Sequence, residues 1–255
     1  MLTVRSQWGV TTLTLDNRRQ RNALTRAMIE SFPRVLAAAE ADAGCRCVVI
    51  RGAGGDFCSG RSMDDAIDTG QLEQYLDYDE AWASVIDALS RMAKPSVAVV
   101  RGYAVAGGFT LAMACDFVLA ERDAKFGALE MRHGFPAAIN MAVLAHKAGP
   151  RHALELLLSA ETCGAERLRE MGLVNRVAAG VKALASVERE FIAGLVALDP
   201  TAVKLTKDGL RAACNMPFAD ALTLGKQLNS LLMATGRIGD SGRHSTRPRS
   251  DKGGE

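Results

Sequence analysis

Cysteine is scarce in this chain and scattered along it. Six residues, Cys45, Cys47, Cys58, Cys115, Cys163 and Cys214, among 255 are too few for a disulfide scaffold. None forms a C-x-x-C pair of the kind that marks a metal site, so reduced thiols and no structural zinc are expected. Neither sign of charge prevails: 31 Lys+Arg against 29 Asp+Glu leave +2. That excludes the basic field on which nucleic-acid and anionic-membrane binding depend. No apolar run approaches the ~18 residues that span a bilayer, and Met1-Leu2-Thr3-Val4-Arg5 lacks the basic and apolar regions of a secretory signal. A cytoplasmic protein with no nucleic-acid or membrane partner is the expectation. With 48% hydrophobic and 24% charged residues, the chain can bury the core of one large domain.

The patterning alternates strand and helix. Val10 to Leu15 has the two-residue period of a strand, with turn chemistry after it in Asp16-Asn17. From Thr25 to about Ala41, Met28, Ile29, Phe32, Val35 and Leu36 recur at three- and four-residue spacing, which predicts a helix capped by Thr25. Cys45-Arg46-Cys47 leads into Val48-Val49-Ile50, an apolar run expected of a buried strand. A helix over about Gln71 to Arg91 precedes another such strand, Ser96 to Val100. A short helix starting near Gly107 then leads to Phe117 to Ala120, again strand-like. Strand, helix, strand of this kind is an α/β core with crossover connections. Beyond about Pro136 the strand signal fades. Helices are expected over Ala138 to Lys147, Pro150 to Leu158, Ala165 to Met171 and three longer segments between about Val181 and Thr235. Residues 241–255 hold no aliphatic or aromatic side chain and are expected to be a disordered tail.

Two glycine segments stand out. Gly52-Ala53-Gly54-Gly55-Asp56-Phe57-Cys58-Ser59-Gly60 follows a buried strand, but Phe57 occupies the third glycine position of a dinucleotide fingerprint and the Gly-Lys-Ser/Thr ending of a phosphate loop is absent. In Gly102 to Asp116, Gly107-Gly108 opens an apolar helix, where unpaired N–H groups and the positive dipole end collect. If the preceding strands are neighbours, both turns face one ligand. Their amides then hold a carbonyl oxygen and stabilise the charge on it as a thioester becomes an enolate.

Arg21-Asn22-Ala23-Leu24, Asp56-Phe57-Cys58-Ser59-Gly60, Gly102 to Asp116 and Phe126-Gly127-Ala128-Leu129-Glu130 resemble, in order and spacing, motifs of the crotonase family, the enoyl-CoA hydratase/isomerase group. The resemblance runs from about Val10 to about Val177. It implies an α/β fold with a core of repeated ββα units over 1–195 and a C-terminal helical trimerisation region over 196–240. It also implies an acyl-CoA thioester as substrate, coenzyme A entering only as part of it, no other cofactor or metal, and a homotrimer or dimer of trimers. The oxyanion-hole amides carry over to Arg61 and Gly107. The family usually has a small residue in place of Arg61, whose side chain must leave the pocket or reach a CoA phosphate, and a third glycine in place of Ala106. By the same resemblance Arg21, Ala23, Ser59, Arg61, Ser62, Met63, Asp64, Gly107 and Thr110 line the substrate and CoA site. Arg18 and Arg19 lie, like Arg21, near the segment that approaches the CoA phosphates.

Relatives that hydrate enoyl-CoA commonly carry two glutamates. Glu130 matches the later one, and Thr110 holds the earlier position. Desolvation of Glu130 between Leu129 and Met131 would raise its pKa and suit it to proton transfer. Gly134 and Pro136 argue for a loop, leaving His133 a supporting or structural residue. Thr110 can position a water but cannot deprotonate it at pH 7. One carboxylate serves hydration or double-bond migration. Similarity of Gly134-Phe135-Pro136-Ala137-Ala138-Ile139 to a segment of methylglutaconyl-CoA hydratase-like relatives favours hydration, isomerisation being the alternative. From another class, the chain is a non-catalytic acyl-CoA-binding homologue, a reading that Thr110 and Arg61 favour and Glu130 and Gly107 oppose.

Overall fold

The structure, a computed structural model, describes residues 1–62 and 71–234. Met63, Asp64 and the 241–255 segment lie outside the described residues. The elements follow the chain as β1 (Leu2–Gln7), β2 (Val10–Leu15), α1 (Arg26–Ala41), β3 (Cys47–Gly52), α2 (Leu72–Arg91), β4 (Ser96–Val100), β5 (Tyr103–Val105) and α3 (Gly107–Ala114). They continue as β6 (Phe117–Glu121), β7 (Lys125–Gly127), α4 (Ala138–Lys147), α5 (Gly149–Leu158), β8 (Cys163–Gly164), α6 (Ala165–Glu170), β9 (Arg176–Ala178) and α7 (Val181–Ala197). Chain contacts separate a unit Met1–Pro200 from a second, Thr201–Glu255. The described part of the second consists of α8 (Pro200–Ala213), which starts at the boundary, and α9 (Phe218–Ala234).

Six strands form one sheet in the order β1-β2-β3-β4-β6-β9. The hairpin β1-β2 is antiparallel and turns on Trp8-Gly9, both at positive φ; every later pairing in this sheet is parallel. The apolar run of β3 follows from burial on both faces. Val48 and Ile50 join the cluster that holds Met28, Ile29, Phe32 and Leu36 of α1, while Cys47 and Val49 join Leu184 and Ile192 of α7. Each large aliphatic or aromatic side chain so buried contributes roughly 1.5–3 kcal/mol. Cys45 and Cys47 are buried, as their apolar setting predicts.

The strands of the second sheet, β5-β7-β8, were not located by the residue patterning, nor was β9 beyond Pro136. Strands of two or three residues are too short to display a period. They complete the ββα repeat: β4, β5 and α3, then β6, β7 and α4, each run from a strand in the large sheet to a strand in the small one and on to a helix. The stretch after β3 enters the same pattern through a parallel bridge between Cys58 and Ala104.

Candidate active site

Because β3 and β4 are parallel neighbours, the two glycine segments leave the same sheet edge side by side. Backbone bonds lace them together: Phe57 N donates to Arg101 O (2.8 Å), Cys58 N to Tyr103 O (2.8 Å) and Val105 N to Cys58 O (3.0 Å). Two glycines are required here by geometry. Gly60 lies at φ +110°, and a Cβ on Gly108 would sit 2.2 Å from the carbonyl oxygen of Cys58. From the other side the Arg21–Leu24 segment closes on the first loop, with Leu24 N on Gly60 O (2.7 Å), Ser62 N on Leu24 O (2.8 Å) and Ser59 N on Arg21 O (3.0 Å). Fully buried Asn22, at φ +59°, anchors this contact by donating from Nδ2 to the carbonyls of Ala53 (2.8 Å) and Asp56 (2.7 Å). Sequence reasoning quoted Asn22 in a motif but gave it no role; a buried asparagine between two loops fixes their spacing.

This lacing leaves two amides over. Gly107 is the first residue of α3, so its N–H has no acceptor within the helix. At Arg61 the neighbouring residues carry the bridge to Leu24, while its own N–H faces away from it. Among the described residues neither amide donates to a protein acceptor. They lie side by side, since a Cβ built on Gly107 would fall 3.3 Å from Arg61 N. The Arg61 side chain turns to α2, with Nη1 2.5 Å from Asp79 Oδ1 and the guanidinium over the Tyr78 ring at 4.8 Å. The residue that departs from the family pattern thus keeps its amide in place and ties the loop to α2.

Glu130 opens a short 3-10 helix, Glu130–His133, in place of the loop expected there, and Gly134 at φ +74° ends it. His133 and Met131 are exposed. From α4, one side chain reaches Glu130. Asn140, 1% exposed, donates from Nδ2 to Glu130 Oε1 at 2.8 Å and to the carbonyl of Ala106 at 3.3 Å. Glu130 Oε2 is buried without a hydrogen-bond partner, as is Asn140 Oδ1. Thr110 is buried, and its hydroxyl donates to the carbonyl of Ala106 at 3.3 Å, one turn back in its own helix.

The remaining candidates divide. Ala23 and Ser62 are buried beside the Gly60 loop, and Ser59 Oγ donates to Gln20 O. Arg21 is exposed, over the Tyr103 ring at 4.8 Å. Arg18 is also exposed and pairs with Asp16. Among the described residues no group of three or more His, Cys, Asp or Glu is arranged to hold a metal ion.

Asn140 was missed by sequence reasoning. Its signal was a lone amide in the apolar stretch from Ala137 to Leu144, three and four residues before Val143 and Leu144, which are buried on the same face.

A sequence profile described as Enoyl-CoA hydratase/isomerase matches residues 5–245. A putative enoyl-CoA hydratase of Thermus thermophilus is 34% identical over 228 residues, covering 88% of this chain and 89% of that one. The 2,3-dehydroadipyl-CoA hydratase of Escherichia coli is 30% identical over 236 residues, with 92% and 91% covered. Among solved structures, an enoyl-CoA hydratase of Mycobacterium smegmatis superposes with a TM-score of 0.86 at 28% identity, over 91% of this chain and 90% of that one. The match runs along nearly the whole sequence, and the chain belongs to the enoyl-CoA hydratase/isomerase family.

Proposed function

We propose that the protein adds water across the conjugated double bond of an enoyl-CoA thioester. The observation that carries this reading is the pair of unengaged amides, Arg61 and Gly107, together with a glutamate whose Oε2 is buried without a partner and whose Oε1 is tied through Asn140 to the carbonyl of Ala106. The thioester carbonyl oxygen accepts from the two amides. Glu130 removes a proton from water, the hydroxide oxygen bonds to C3, and the C2–C3 π pair moves into an enolate whose negative oxygen the amides stabilise. Glu130 then returns its proton to C2, so one water is added and the carboxylate is regenerated.

The names of the relatives support hydration for this chain. Coenzyme A enters as part of the substrate, with Arg21 at the exposed rim suited to its phosphates, and no other cofactor is proposed. A cytoplasmic location agrees with the sparse cysteines, and no helix among the described residues is long and apolar enough to cross a membrane. Assembly as a trimer or dimer of trimers through the C-terminal helices is supported by the exposure of Phe218, Leu222, Leu231 and Met233 on α9. Mixing the protein with short 2-enoyl-CoA thioesters and following the conjugated absorbance tests the reading. Loss of absorbance with formation of the 3-hydroxyacyl product is expected. Appearance of the 3-enoyl isomer without hydration would replace hydratase by isomerase, and binding without turnover would leave an acyl-CoA-binding homologue.

A further inference from the structure

One side chain joins the two halves of the chemistry just described, and the inference drawn from it rests on that reading. Asn140 Nδ2 bonds at once to Glu130 Oε1 (2.8 Å) and to the carbonyl of Ala106 (3.3 Å), the residue immediately before the Gly107 amide. The orientation of this amide group is fixed by its partners: both are acceptors, so the nitrogen must face them. The side chain is 1% exposed and comes from α4, whereas its partners lie on the 3-10 turn after β7 and at the mouth of α3. Ala106 is itself held in an unfavourable backbone conformation, φ +48° and ψ −125°, with three further donors on its carbonyl: Phe109 N, Thr110 N and the Thr110 hydroxyl. Arg132 and His133, the charged and titratable side chains on the turn that carries Glu130, are exposed.

We propose that Asn140 is a positioning residue for the reaction. It holds one oxygen of Glu130 against the turn that presents the Gly107 amide, so that Oε2 alone transfers the proton and does so at a set distance from the oxyanion. A carboxylate without this tether has two equivalent oxygens and a free terminal torsion, and it no longer faces in turn the water that adds to C3 and the C2 carbon that takes the proton. Thr110, by contrast, spends its hydroxyl on its own helix and does not reach the carboxylate.

The test uses Asn140→Ala and the equally sized Asn140→Asp, with melting temperature as a check on folding. In Asn140→Ala, kcat should fall about 10- to 100-fold while KM changes less than about threefold, since the oxygen is misplaced but the thioester site is intact. In Asn140→Asp the donor exists only while the new carboxyl shares a proton with Glu130, so the activity optimum should move to lower pH than in the parent. In a Glu130→Gln background, Asn140→Ala should cost little more, because the two act as one unit. Folded Asn140 variants with parental kcat and pH profile would overturn the positioning role while leaving the hydratase reading intact, as would a loss confined to KM or an equal loss in the Glu130→Gln background. A parent that hydrates no enoyl-CoA overturns the functional reading and the proposal together.

Discussion

Glu130 is the side chain to which proton transfer is assigned, and the structure sets it apart from Thr110 by what each already holds. Oε2 of Glu130 is buried and unpartnered, whereas the Thr110 hydroxyl is committed to the carbonyl of Ala106. Glu130→Gln keeps the shape of the site and should lower hydration at least the ~10²–10⁴-fold typical of general acid–base catalysis. Thr110→Ala should cost less than about a hundredfold, the smallest effect typical of acid–base catalysis. Initial rates on one enoyl-CoA, with folding checked by melting, decide it; the reverse order would move the base elsewhere. Ala106 makes a second prediction at this scale. Its positive φ carries strain of about 1–3 kcal/mol that a glycine escapes, and the added freedom of glycine in the unfolded chain returns about 0.4–1 kcal/mol of that. Ala106→Gly should therefore raise the melting temperature by a few degrees. An unchanged or lowered midpoint in calorimetry would show that the backbone is not strained there.

At the scale of elements, α3 carries at its first residue the amide proposed to hold the thioester oxygen. A proline is tolerated sterically at the first position of a helix but has no N–H. Gly107→Pro should thus bind CoA while losing one oxyanion donor, a loss of roughly 10²–10³ in turnover. A folded variant with near-parental kcat would remove Gly107 from the oxyanion hole. The elements also show what a periodic pattern can and cannot reveal. Helix α1 was legible from its apolar spacing and from Thr25, whose Oγ1 accepts from Met28 N at 3.3 Å. Pro33 lies inside that helix without ending it, because Met28, Ile29, Phe32, Leu36 and Ala39 are buried by the face it interrupts. Strands β5, β7 and β8 were not legible, since two or three residues carry no period and their pairing depends on partners distant in sequence.

For the molecule as a whole, the cysteine beside the site gives a pH signature. Burial pushes the Cys58 thiol up from an ordinary value of 9.0 to about 12, with backbone contacts to Gly60 and Leu24 offsetting part of the rise. Below about pH 9 the thiol is protonated in folded and unfolded chains alike, and stability is indifferent to it. Between about pH 9 and about 12 the unfolded chain releases a proton that the folded chain retains, so stability falls, by up to about 1.4 kcal/mol per pH unit. Urea unfolding at pH 8 and pH 10 should show a smaller alkaline loss in Cys58→Ala than in the parent. Equal losses would mean that the thiol does not contribute.

The sequence by itself determined the α/β class, the long helices, the buried strands β3, β4 and β6, the order of four motifs and, through them, Glu130, Gly107 and Arg61 as the residues to examine. Each of these is written locally, in a period, a cap or a run of small residues. Only the tertiary structure decided that the two glycine turns share one sheet edge, that Arg61 turns its guanidinium to α2 while keeping its amide beside Gly107, and that Asn140 ties Glu130 to Ala106. Those contacts join residues from separate elements, where no local pattern records the partner and where burial gives a single hydrogen bond its weight.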